Sequence, residues 1–312
     1  MSSPSSAQPD PDAGAPYVGV NLPWLVYGCD FGRNRWFPEG GVGRPDAQAR
    51  LRPLFGRLAG AHLCPVRWFL FCDGRAGLVV DGDERPTGLD PCCFRDVDAA
   101  LALADEHGLR LLFVLFDFPW FRPRRWVNGV GLFGRRRMVA RGDQRAALLD
   151  RVVVPLLARY GREPLIRAWD IVNEPEWATW GYGAFAPWRG VGPATMRAWM
   201  RELAAAVHSE TVQPVTVGLA SARGLPLVGG CGLDFFQVHW YDRRERRSPL
   251  ARAPILDRPV LLGEFPTSSF RRSPAEVLAA ARAAGYSGAL AWSATASDRY
   301  SSLSALEDAL RR

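Results

Sequence analysis

Two glutamates in this 312-residue chain stand where they could work on one bond. The first closes the run Arg167-Ala168-Trp169-Asp170-Ile171-Val172-Asn173-Glu174-Pro175. Proline has no N–H for a ladder bond, so an apolar strand ends here and delivers Asn173 and Glu174 at its C-terminal end. The second closes Pro259-Val260-Leu261-Leu262-Gly263-Glu264-Phe265-Pro266, which is built the same way. One carboxyl group in its acid form can give a proton to a leaving oxygen while a second, ionised, works from the other side. Glycosidic bonds are cleaved by such pairs. The competing reading is two solvated loop glutamates that happen to precede prolines.

The elements that must position the pair recur along the chain. Apolar strands are expected at 17–22, 62–71, 109–118, the Asn-Glu-Pro run, 214–219, 235–241, 260–264 and 288–292. Helical spacing or caps fall at 45–59, 94–107, 143–160, 193–209, 222–229, 273–284 and 304–311, with Ser273 as N-cap and Pro274 at the first position of its helix. Nearly continuous apolar strands alternating with helices predict an α/β fold with a parallel sheet. Eight such units, and no glycine-rich phosphate turn after the first strand, favour a closed (β/α)₈ TIM barrel: a single domain with long βα loops. Residues 1–16, rich in Ser, Pro, Asp and Ala, read as a disordered tail, and 17–312 as the catalytic barrel.

Composition narrows the function classes. All 39 basic residues are arginine, spread along the chain between acids, which reads as arginine bias; no basic stripe interleaved with aromatics marks a nucleic-acid binder. Six cysteines show no repeated zinc spacing, and Cys92-Cys93 are adjacent, so buried or incidental thiols are expected. No metal or cofactor is expected. No apolar run approaches the ~20 residues of a membrane span, and the first residues lack a secretory leader. With Met1 as a native start the protein is expected in the cytoplasm; a leader removed ahead of it would make it secreted. Oligomeric state has no signal here.

In a barrel the active site lies on the face formed by the C-terminal strand ends. The polar and aromatic residues there are Asn21, Arg67, Asp73, Asp117, Asn173, Glu174, His239, Tyr241, Glu264 and Trp292. The set Arg67, Asn173-Glu174-Pro175, His239-Trp240-Tyr241, Gly263-Glu264-Phe265 and Trp292 resembles clan A of the glycoside hydrolases, and its order and spacing are similar to family 5, the cellulases and β-mannanases. The resemblance spans Tyr17 to Trp292. It implies that Glu174 is the acid/base and Glu264 the nucleophile of a retaining hydrolase acting on a β-linked gluco- or manno-configured glycan. Arg67 would keep Glu264 ionised, Tyr241 would donate to the same carboxylate, and His239 would orient the surroundings. Asn173 would bond the sugar 2-hydroxyl and Trp292 would floor the sugar site.

Flat aromatic faces stack on pyranose rings, so the tryptophans in or beside the βα loops (24, 36, 68, 120, 126, 177, 180, 188) are candidates for further subsites. Trp24, Trp68, Trp120, Trp177 and Trp240, with Asp117 and Asn21, join Trp292 as the substrate-contact set; for most single tryptophans, packing of the loop itself is the competing reading. One departure from family 5 stands out. A histidine often found near the end of strand three is replaced by Phe116-Asp117-Phe118, which puts the sugar contacts in doubt. Arg122, Arg124, Arg125, Arg135 to Arg137, Arg243, Arg244, Arg246 and Arg247 could contact an acidic glycan, or only reflect arginine bias. Transglycosylation at the same site, and a carbohydrate-binding barrel without catalysis, are the rival functions.

Overall fold

The computed structural model describes residues 16–185, 187–241, 250 and 256–311. Eight parallel strands close into a barrel: β1 (Tyr17–Asn21), β2 (Val66–Phe69), β3 (Leu111–Asp117), β4 (Ile166–Asn173), β5 (Val215–Leu219), β6 (Phe236–His239), β7 (Val260–Pro266) and β8 (Gly288–Trp292), with β8 pairing back to β1. The barrel expected from the alternation of elements is the fold. Strands covered on both faces need apolar side chains throughout, and β3 (Leu-Leu-Phe-Val-Leu-Phe-Asp) is buried at every position. The core between strands and outer helices is continuous, from Val20, Phe55 and Trp68 round to Trp169, Trp199 and Leu306.

Helices at Pro45–Gly60, Pro91–Glu106, Pro193–Glu210, Pro274–Ala283 and Leu303–Leu310 begin and end close to where spacing and caps place them. Ser273 caps its helix and forms a reciprocal capping box with Glu276. The helix expected at 94–107 starts earlier, at Pro91, because the Asp90 side chain accepts from the Cys92 N–H. The 143–160 helix is α over Gly142–Leu148, widens to a π turn at Leu149–Val153 and resumes as Val154–Tyr160. Pro155 lacks the N–H that a regular turn would offer at this point. Two short hairpins escaped the sequence reading: Leu78–Val80 with Pro86–Leu89, and Arg125–Val127 with Val130–Leu132. Both lie in loops on the mouth side, where strands of three or four residues carry too little alternation to detect. The six cysteines are unpaired thiols. Among the described residues no helix is long and apolar enough to cross a membrane. The tail at 1–15 and Arg243, Arg244, Arg246 and Arg247 lie outside the described residues.

Candidate active site

Closure of the ring brings the strand ends into register. Asn21 lies beside both Trp292 and Arg67, Asp117 beside Asn173, and His239 beside Glu264. At the centre is Arg67, fully buried. Its Nε and Nη2 donate to Asp170 Oδ2 at 3.0 and 2.8 Å, Nη2 to Asn173 Oδ1 at 2.8 Å, and Nη1 to Asn21 Oδ1 and Glu264 Oε1 at 2.9 and 2.7 Å. Those bonds use all five N–H groups a guanidinium has. Asp170 is held in turn by Gln237 Nε2 at 2.7 Å and the Gly218 N–H at 3.0 Å. Gly218 has to be glycine, because a Cβ there would meet Arg67 Nη2 at 2.6 Å.

Such a buried cation is held by its partners, and they depend on it equally. Removing one member of a buried ion pair typically costs about 3–5 kcal/mol, because the other charge is left uncompensated. Arg67→Met strands both Asp170 and Glu264. Chemical denaturation should therefore show a stability loss of at least about 3 kcal/mol; a loss below about 1 kcal/mol would mean that Arg67 does not carry this network.

Glu174 follows β4 in a left-handed backbone conformation, φ +49°, with its N–H donating to the Gly218 carbonyl at 2.6 Å. A non-glycine residue pays to adopt that geometry. Here it turns the carboxyl into the barrel mouth, where the side chain is 17 % exposed. Trp177 Nε1 donates to Glu174 Oε2 at 3.0 Å, and His239 Nδ1 lies 2.9 Å from Oε1. Burial pushes the Glu174 carboxyl up to about 7, against the opposing pull of Arg67 and Trp177. Glu264 is also pushed up by burial, but His239, Arg67 and the Tyr241 hydroxyl, which donates to Oε2 at 2.9 Å, oppose the push. Burial lowers His239 to about 4, so a neutral imidazole separates the two acids near neutral pH. A guanidinium bonded to a carboxylate favours its charged form by charge as well as by hydrogen bonding, whereas a neutral donor acts by the hydrogen bond alone. The two glutamates thereby differ in what they touch: Glu264 meets a guanidinium and a phenol, Glu174 an indole N–H and an imidazole.

One carboxyl oxygen of Glu174, one of Glu264 and a His239 ring nitrogen lie within 4.8 Å of one another. Among the described residues this is the grouping that could offer ligands to a metal ion. The Arg67 guanidinium already supplies positive charge against Glu264. Above the pair opens a cleft of about 1130 Å³. Trp24, Trp292 and Tyr300 line it from the ends of β1 and β8 and the loops after them, Tyr241 from the end of β6, and Glu176, Trp177, Tyr182, Ser221 and Gly224 from the loops after β4 and β5.

No family model matches the chain. A curated mannan endo-1,4-β-mannosidase from Mytilus edulis is 25% identical over 326 residues, covering 89% of this chain and 83% of that protein. The crystal structure of an endo-1,4-β-mannanase from Eisenia fetida superposes with a TM-score of 0.79 at 21% identity, covering 95% of this chain and 90% of the other. A glycoside hydrolase family 5 enzyme from Prevotella bryantii superposes with a TM-score of 0.58 at 14% identity, over 96% and 97% of the two chains. In sequence and fold the chain is thus similar to β-mannanases and to other family 5 glycoside hydrolases.

Glu174, Glu264, Asn173, Tyr241, Asp117, Trp24, Trp177 and Trp292 all reach the cleft wall. Trp292 is held by Asp298, which accepts from its Nε1 at 2.8 Å, and Trp24 meets it edge-on at 5.9 Å between centroids. Four expected substrate contacts need correction. Trp68 is fully buried outside the barrel against Phe31 and Phe55, with Nε1 on Asp30. Trp120 is buried against Phe116. Trp240 faces Phe270 and Arg272, away from the cleft. Asn21 is wholly buried, accepting from Arg67 while its Nδ2 donates to the Gly263 and Ala291 carbonyls at 2.9 and 3.2 Å, so no group of it is left for a sugar. Of the loop arginines, Arg122 lines the cleft, Arg135 is buried on the Gly74 carbonyl, Arg136 donates to the Gly190 carbonyl and Arg124 pairs with Glu84.

Sequence reasoning missed Asp170, Gln237 and Gly218, which stand one layer beneath the pair. A charged residue inside an apolar strand that already holds Asn-Glu-Pro was the available signal for Asp170. It also missed Tyr27, whose hydroxyl donates to Asp117 Oδ2 at 2.9 Å while Asn173 Nδ2 donates to Oδ1 at 3.0 Å. Asp117, at the strand-three position without a histidine, thus fixes which way the Asn173 amide points. Burial pushes its carboxyl up to about 7, with Glu174 adding to the effect.

Proposed function

We propose that this protein is a retaining endo-acting β-mannanase that cleaves β-1,4-linked mannan by double displacement through Glu174 and Glu264. The observation that supports the mechanism is the closeness of the pair: one oxygen of each carboxyl group lies within 4.8 Å of the other, nearer the ~5–5.5 Å spacing of retaining glycosidases than the ~6.5–9.5 Å of inverting ones. In the first step Glu264 attacks the anomeric carbon, the bond to the leaving oxygen breaks, and Glu174 passes its proton to that oxygen. In the second, water attacks the glycosyl ester, Glu174 takes the water's proton, and Glu264 leaves as carboxylate. Asn173, held by Arg67 and Asp117, keeps one N–H to meet the sugar 2-hydroxyl as the transition state forms. Support for mannan comes from the mannanases of Mytilus and Eisenia, and support for internal cleavage from a cleft lined on both sides of the pair.

The test is a panel of β-1,4-manno-, gluco- and xylo-oligosaccharides, with products resolved by size and the first-formed anomer followed by NMR. Mannan oligomers cut internally with the β anomer appearing first are expected. An α anomer first would overturn the double displacement, and a wild-type preference for xylan or glucan would overturn the substrate.

A further inference from the structure

Glu176, two residues beyond Glu174, has a role the two-glutamate mechanism does not use. It lies on the single turn Pro175–Ala178 and is 6 % exposed, yet it lines the cleft. Neither carboxyl oxygen has a hydrogen-bond partner among the described residues. The N–H groups of Glu176, Ala220 and Ser221 lie toward it without reaching hydrogen-bond geometry. Gly224 makes the room it occupies, since a Cβ there would come within 2.0 Å of Oε1. Burial pushes this carboxyl up to about 8, so near neutral pH it carries one O–H donor and one free carbonyl acceptor. A buried polar group without a partner is rare in a folded protein unless water or a ligand completes it.

The ring says which ligand. In the closed order of strands, β4 and β5 stand opposite β8 and β1. Glu174 ends β4, and an acid that protonates the leaving oxygen stands on the leaving group's side of the bond. Glu176, Ser221 and Gly224 extend the wall on that β4–β5 side, while Trp292 and Trp24 wall the opposite side. On the retaining-glycosidase reading above, we infer that Glu176 is a specificity-determining residue that hydrogen-bonds the hydroxyls of the leaving-group sugar.

The experiment compares two substrates with the same sugars ahead of the scissile bond: a β-1,4-oligosaccharide that the wild type cleaves, and an aryl β-glycoside whose leaving group carries no hydroxyls. The quantity read is the ratio of their kcat/KM values. In Glu176→Ala the ratio should fall about tenfold or more, the size of a lost hydrogen bond to a substrate hydroxyl at a site built for it. Glu176→Gln keeps one donor and one acceptor in the same shape and should restore most of it. An unchanged ratio in Glu176→Ala overturns the inference. So does a parallel fall on both substrates accompanied by a lower Tm in both variants, which would make the carboxyl a loop brace. A wild type inert toward every β-linked oligosaccharide and aryl β-glycoside overturns the retaining-glycosidase reading itself, and this inference with it.

Discussion

Replacing Glu264 by alanine is expected to lower kcat by about 10⁴-fold or more, the scale seen when a covalent nucleophile is removed from a site whose other parts remain. The side chain is 6 % exposed and touches Arg67 and Tyr241, so alanine leaves a small hole beside a guanidinium. A small anion fits that hole and is attracted by the charge. Azide should therefore restore part of the turnover on an activated aryl glycoside, and the product should be the α-glycosyl azide, formed by one displacement from the nucleophile's side. Product stereochemistry by NMR checks this. Residual activity within tenfold of wild type, without azide dependence, would remove Glu264 from the reaction.

Glu174→Gln tests the other half by leaving-group dependence. The amide cannot give a proton, so a poor leaving group such as a sugar should react about 10²–10⁴-fold more slowly. A good one, such as dinitrophenolate, departs without protonation and should lose far less in the first step. The pH profile follows with a definite sign. Glu174 must be protonated at the start of the cycle and its carboxyl is pushed up to about 7, so kcat/KM for oligosaccharides should fall as pH rises through about 7. Glu174→Gln should lack that alkaline fall. If the variant keeps it, another group sets it, and Asp117, also raised to about 7, is the first to examine.

The proposed mechanism divides labour between two similar side chains by what each touches. Glu264 faces the guanidinium and a phenol; Glu174 faces an indole N–H and an imidazole that burial keeps neutral. No difference in residue type is needed, because the partner's charge decides which protonation state the site favours. The left-handed backbone at Glu174 adds the last part, setting an otherwise strand-end residue at an angle into the mouth.

Asn173-Glu174-Pro175 and Gly263-Glu264-Phe265-Pro266 placed both acids at or within two residues of a strand's C-terminal end from the sequence alone, since neither strand runs past its proline. Eight apolar stretches alternating with helices implied the barrel, and Arg67 inside an apolar strand announced that an acid had to face it. Those readings rest on local rules of backbone chemistry and periodicity. What stands next to what across the ring was decided only by closure: that Asp170 shares Arg67 with Glu264, that Gly218 leaves the guanidinium its space, and that Asp117 holds Asn173 through one oxygen and Tyr27 through the other. The tryptophans divide for the same reason. Trp68, Trp120 and Trp240 look no different in sequence from Trp24 and Trp177, but the face each presents depends on the path of a long loop packed against other loops. Alternation assigns a side chain to one face of its own strand; it holds no information on which distant segment covers that face.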